Sequence, residues 1–243
     1  MVTQQSSARS KSCRITGHQS TKLNTGFIMS LLGFVNKSLE LPTEETAIPD
    51  RPSGLIVEEN HYISGNRIVE PVPSHLKKAV FGMGCFWGAE RLFWTLKGVY
   101  STAVGYAGGI TVNPTYDDVC SGRTGHTEVV LTFFDPSVVS YEDLLKVFWE
   151  SHNPTEGMRQ GNDVGTQYRS AIYCDNDEQL LTAKMSKEVF QRELDTKEFP
   201  LITTEINALN RFYYAETYHQ QYLGKNPNGY CGLMGTGCTY GQF

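Results

Sequence analysis

The chain has 243 residues, 40% of them hydrophobic and 19% charged, which suits a globular protein of one or two domains with a real core. Its net charge of -5 conceals an asymmetry: Arg9, Lys11, Arg14, Lys22 and Lys37 precede the first acidic residue, Glu40, so the body beyond them is distinctly acidic. An acidic body argues against nucleic acid as a partner, and the absence of any apolar run of 18 residues predicts no membrane-spanning helix.

Residues 1–70 read as a flexible tail, rich in Ser, Thr, Gln and Asn. Its basic, acid-free start is that of an organelle transit segment or of a tail with no address. Met29 offers an alternative start. The catalytic body is expected over 71–223, opening after Pro71 and Pro73. Residues 78–83 predict a short buried strand. Residues 86–96 carry apolar side chains at helical spacing. Strands follow at 99–106 and 127–134. Ser140 and Asp143 have the form of a capping box, starting a helix that runs to His152. A strand at 169–173, a helix at 177–194, a strand at 201–206 and a helix at 212–223 complete the body. This order predicts an α+β two-layer sandwich built on a ferredoxin-like split βαβ core. Residues 224–243 hold six glycines and two cysteines and predict a mobile, glycine-rich C-terminal arm.

The six cysteines, Cys13, Cys85, Cys120, Cys174, Cys231 and Cys238, are dispersed through a chain too long to need disulfide staples. None forms a C-x-x-C pair, so little supports structural zinc, and a reducing compartment with some reactive thiols is expected. Gly84-Cys85-Phe86-Trp87-Gly88 lies where a strand gives way to a helix. A helix start favours thiolate through its free N–H groups and the positive end of its dipole. A cysteine at a strand end is also commonly a buried hydrophobe. Cys231 and Cys238, in a glycine-rich tail, suit thiols that travel, or are incidental. Glu128 opens an otherwise apolar strand. It is either a desolvated acid with a raised pKa or a strand-end carboxylate facing water. Tyr116 reads as a loop tyrosine. Asp163 and Tyr168 lie in a polar loop, Gly161 to Ser170, that feeds the next strand.

Five motifs in order, Gly-Cys-Phe-Trp-Gly, Gly-His-Thr-Glu-Val, Gly-Thr-Gln-Tyr-Arg-Ser, Tyr-His-Gln-Gln-Tyr and Asn-Gly-Tyr-Cys-Gly, resemble the A-type peptide methionine sulfoxide reductases. The resemblance runs from about Ala79 to Cys238. It implies reduction of the S epimer of methionine sulfoxide, free or in proteins, with Cys85 as nucleophile. Phe86 and Trp87 would form the pocket for the substrate methyl group, with Asp163 as a polar residue supporting the site. Glu128 would protonate the sulfoxide oxygen, and Tyr116 and Tyr168 would donate hydrogen bonds to it. Cys231 and Cys238 would be the first and second resolving cysteines. Met234 departs from the family, which usually has glycine there. The resemblance further implies a monomer with no bound cofactor, recycled by thioredoxin, or by dithiothreitol in vitro, and the expected location is the cytoplasm, or the mitochondrion through the basic N-terminus. Two other readings remain: a thiol peroxidase, and a non-catalytic redox-sensing binder of Met-rich surfaces.

Overall fold

The computed structural model describes residues 39–241. Its centre is a curled six-stranded sheet made from β1 (Lys77–Met83), β2 (Val99–Ala107), β3 (Thr127–Phe134), β6 (Ser170–Cys174), β7 (Glu205–Ala208) and β8 (Phe212–Tyr214). Spatial order is β7-β6-β1-β3-β2-β8. The β6–β7 pair is parallel and the other pairs are antiparallel. The hairpin of β4 (Arg159–Gln160) and β5 (Asp163–Val164) stands apart from it. The protein is thus mixed α+β.

Three helices bury one face of the sheet: α1 (Phe86–Trp94), α3 (Tyr141–Ser151) and α4 (Asp177–Asp195). Phe81 of β1 stacks on Phe93 of α1 at 5.0 Å and meets Phe148 of α3 at 5.5 Å. The α3 capping box is present. Ser140 Oγ accepts the Asp143 N–H at 3.0 Å, and Asp143 Oδ2 accepts the Ser140 N–H at 2.9 Å. These bonds satisfy donors that a helix start otherwise leaves open. Asn176 caps α4 through the Gln179 N–H at 3.0 Å.

The opposite face is apolar too. Val80, Ala103, Val129, Leu131 and Phe133 point into a second core, and a sheet that is apolar on both sides needs a second cover. That cover comes from the segment expected to be a free tail. From residue 39 onward the chain runs over the body. Ile68 is completely buried against the back of the sheet, with Val57, Val69 and Val72 around it. Arg51 makes a two-pronged ion pair with Asp118, and Arg123 accepts the Ile48 N–H through its carbonyl. The basic start read as a transit segment, 1–39, lies outside the described residues up to residue 38.

Two further expectations shift. The 201–206 strand is found at Glu205–Ala208, where it can pair with β6, and Leu201 is exposed. No helix spans 212–223. Phe212–Tyr214 is an edge strand on β2, residues 215–221 are irregular, and only Tyr222–Lys225 (α5) is helical. The apolar spacing imitates a helix there, but aromatic side chains suit the sheet edge. Gln221, with φ 47°, breaks any helix before it starts. Residues 226–241 hold no helix or strand, yet they are seated on the body. Leu233 packs on the helical core, the Tyr240 N–H bonds Glu150 at 2.8 Å, and Tyr240 is buried. No helix among the described residues is long and apolar enough to cross a membrane.

Candidate active site

Cys85 stands at the N-terminal cap of α1, directly after β1. The connection is a sharp turn. Gly84 takes φ +88°, and a Cβ there would lie 2.5 Å from Gln160. The turn sets Cys85, half-buried as a residue, at the first N–H groups of α1. One of those groups, the Phe86 N–H, is claimed by Glu128 Oε2 at 3.1 Å. Glu128, on β3, is almost completely buried and faces Tyr106 of β2 across the ladder. A carboxyl from a neighbouring strand therefore caps the helix that carries the thiol, where the helix dipole favours negative charge.

This arrangement reverses one expectation. The Cys85 thiol is pushed well above its ordinary range, chiefly by burial and then by the negative charge of Glu128. The Trp87 N–H pulls the other way and is outweighed. The resting group is a thiol.

Tyr116 and Tyr168 face the same charges. Burial comes first in raising both phenols, followed by Glu128, with Cys85 and Asp163 also acting on each. Both hydroxyls remain protonated donors at neutral pH. Tyr116 is not in a loop, as expected, but is the first residue of the short helix α2 (Tyr116–Cys120). Thr115 and Asp118 form its capping box, and the Tyr116 N–H bonds Glu216 Oε1 at 2.8 Å. The other oxygen of Glu216 accepts from Tyr106 Oη at 3.0 Å. Asp163, on β5, is hydrogen-bonded by Tyr230, whose phenol is raised to about 12, chiefly by burial and then by Asp163.

The arm brings a second thiol. Cys231 Sγ lies over Gly88, one turn beyond Cys85, and a Cβ on Gly88 would stand 2.7 Å from it. Gly88 thus makes room for the arm. Cys238 is not brought to this place. It is buried against α4, with Sγ 3.9 Å from the Glu193 carbonyl. Cys174 is buried and free, and Cys120 is disulfide-bonded.

Three participants had no assigned role in the sequence. Trp87 donates from Nε1 to His219 Nδ1 at 3.0 Å and stacks on Tyr222 at 3.9 Å. His219 also lies 4.5 Å from the Tyr116 ring and 5.2 Å from Phe86. Burial lowers its pKa to about 3, so it is neutral. The aromatic wall thus comprises Phe86, Trp87, Tyr116, His219 and Tyr222. The signal was present in Tyr218-His219-Gln220-Gln221-Tyr222, but nothing local says that this motif folds back onto Trp87. Glu216, the third, has no sequence signature. Among the described residues no group of three or more His, Cys, Asp or Glu is placed to hold a metal ion.

A thiol at a helix start beside a buried carboxyl, two phenols and a second thiol defines a thiol-dependent oxidoreductase. The family model "Peptide methionine sulfoxide reductase" matches residues 77–238. A reductase of that name from Rippkaea orientalis is 62% identical over 208 residues, covering 86% of this chain and 95% of its own. The mitochondrial peptide methionine sulfoxide reductase of Bos taurus is 59% identical over 204 residues, covering 84% and 88%. Methionine sulfoxide reductase A of Corynebacterium diphtheriae is similar in structure, with TM-score 0.72 and 41% identity over 79% of this chain and 93% of that one. The chain belongs to the peptide methionine sulfoxide reductase family. It is an enzyme that reduces methionine sulfoxide.

Proposed function

We propose that the enzyme acts on the S epimer, free or in oxidised proteins, through Cys85. The observation that carries this reading is the Glu128 bridge. One buried carboxyl accepts the N–H beside Cys85, and its charge adds to burial in raising the thiol and both phenols. The substrate methyl group enters the wall of Phe86 and Trp87, and the sulfoxide oxygen meets Glu128, Tyr116 and Tyr168. Asp163 supports the site through Tyr230.

The Cys85 thiol gives its proton to the Glu128 carboxylate, and its sulfur attacks the sulfoxide sulfur. The S–O oxygen gains charge and takes a proton from Glu128, while the two phenols donate to it. The substrate sulfur gains two electrons and leaves as the thioether of methionine. Cys85 loses two electrons, receives the oxygen and becomes a sulfenic acid. Cys231 sulfur then attacks Cys85, forming a disulfide and releasing the oxygen as water. Cys238 exchanges this bond to Cys231–Cys238 once the arm lifts it from α4. A thioredoxin dithiol, or dithiothreitol in vitro, accepts the disulfide. No bound cofactor takes part.

The order of the four central strands supports reading them as a split βαβ, ferredoxin-like unit: β1 and β2 are joined through α1, with β3 between them and β6 outside β1. Residues 224–243 serve as the arm. The enzyme works as a monomer in the cytoplasm, with the mitochondrion as the alternative location that the basic, acid-free N-terminus supports. A fluorescent fusion of residues 1–39 that stays diffuse in the cytosol would remove that alternative.

Cys85→Ser tests the reading. A hydroxyl lacks thiolate nucleophilicity, so turnover should vanish. Retention of a tenth of the rate would rule Cys85 out. The peroxidase reading is separated by assaying peroxide in parallel.

A further inference from the structure

The motif Tyr218-His219-Gln220-Gln221-Tyr222 is fastened to the body by one buried carboxylate that the chemistry does not use. Glu90, on α1, is completely buried. Its Oε2 accepts the Gln221 N–H at 2.8 Å. Its Oε1 accepts Gln221 Nε2 at 2.7 Å and Thr102 Oγ1 at 3.0 Å. The same Gln221 amide nitrogen reaches the Thr102 carbonyl at 3.1 Å, and its Oε1 accepts the Tyr62 N–H at 3.0 Å.

The donors are arranged for an anion. His61 Nδ1 accepts the N–H groups of Ile63 and Ser64, both at 3.2 Å, so the ring proton sits on Nε2. That proton is given to Thr102 Oγ1 at 3.0 Å, which leaves the Thr102 hydroxyl to donate to Glu90. Every group that touches the carboxylate is a donor, as a buried charge requires.

Gln221 is left-handed, with φ 47° and ψ 43°, a conformation unfavourable for a residue with a Cβ. It is the pivot of the motif. On one side of it lies His219, bonded to Trp87. On the other is Tyr222, stacked on Trp87 with 17° between the planes. Gln220 pins the same stretch to β2, accepting the Val104 N–H at 2.9 Å and donating to the Val104 carbonyl at 2.8 Å.

We infer that Glu90 is a positioning residue for the substrate pocket, holding Gln221 in its left-handed turn so that His219 and Tyr222 clasp Trp87 from two sides. Burial raises the Glu90 carboxyl to about 7, against the pull of its hydrogen bonds. A fully buried ionisable group held so far from its ordinary range, bonded to a strained turn, fits a site where function sets the residue. The inference rests on the reading that Trp87 lines the methyl pocket.

The test uses Glu90→Gln and Gln221→Gly in the full chain. The first places an amide NH₂ among donors. The second keeps the left-handed turn without strain and deletes the side-chain half of the clamp, so it remains informative if the first fails to fold. Single-turnover oxidation of Cys85 by methionine sulfoxide is followed against substrate concentration. The half-saturating concentration should rise about tenfold in both variants, with the limiting rate within threefold of wild type. The near-ultraviolet dichroism assigned to Trp87, by difference from Trp87→Phe, should weaken in both. Unchanged half-saturation with unchanged dichroism would overturn the inference, as would a lost limiting rate at unchanged half-saturation. Trp87→Ala is the control. If it binds sulfoxide as wild type does, the pocket reading fails. The Trp87 dichroism then decides alone, and its retention in both variants refutes the role of Glu90.

Discussion

Cys231 Sγ occupies the space beside Gly88 that a side chain would take, 2.7 Å from where its Cβ would be. The arm's thiol is therefore parked on the helix that bears Cys85. Gly88→Ala should lift it. Release of one methionine per active site should persist, while formation of the Cys85–Cys231 disulfide slows at least tenfold. Quenched-flow alkylation with mass spectrometry reads both, and disulfide formation at the wild-type rate would contradict this placement.

Cys231→Ser should complete one turnover and then stall with thioredoxin, because the sulfenic acid meets no intramolecular thiol. Cys238→Ser should be milder, since Cys238 rests against α4 and acts only after the first disulfide exists. Thioredoxin-dependent steady-state rates test both. Full turnover by Cys231→Ser would make the tail cysteines incidental.

Glu128→Gln should move two measurements in opposite directions. Turnover should fall by roughly 10²–10⁴-fold with the loss of the general acid. The Cys85 thiol should titrate at lower pH, because a negative charge that raises it is gone. Alkylation of Cys85 at fixed neutral pH should therefore quicken. Slower alkylation would show that Glu128 does not act on the thiol.

Acid should destabilise the fold. Burial lowers His61 and His152 to about 4 and His219 to about 3, so the folded state resists protonation that the unfolded chain accepts near 6.5. The stability from keeping them neutral is complete above about 6.5 and is lost as pH falls toward 4, at roughly 1.4 kcal/mol per unit for each group. Glu90 opposes this between about 7 and 4.5, one carboxyl against three imidazoles. Melting temperature should fall steadily from pH 6.5 to 4. A flat profile to pH 5 would contradict the burial argument.

Ile68→Ala should cost about 2–5 kcal/mol, because the side chain covers the back of the sheet. A chain begun at Pro71 should lose more, and with it the Arg51–Asp118 pair that steadies α2 under Tyr116. Chemical denaturation measures both. Wild-type stability of the truncated chain would return this segment to the status of a tail.

The parts legible in the sequence are those set by local pattern. Ser140 and Asp143 announce the start of α3, and the apolar spacing after Cys85 marks α1. What escaped depends on distant partners. The back of the sheet is apolar, but nothing near Ile68 says that it lies there. Phe212–Tyr214 has the spacing of a helix and is claimed by the edge of β2. The helix start beside Cys85 predicts a lowered thiol pKa, whereas burial and Glu128, 43 residues on, raise it. The ordered motifs pointed to the site residues, but the contacts of His219 and Tyr222 with Trp87 arise only through the left-handed turn at Gln221.

The central claim is stereospecific reduction of a sulfoxide at Cys85. Incubation with a racemic methionine sulfoxide peptide and dithiothreitol, followed by resolution of the epimers, tests it most directly. The account predicts that the S epimer is consumed, the R epimer stays intact, and Cys85→Ser consumes neither. Complete loss of the racemate, or faster loss of the R epimer, would contradict it.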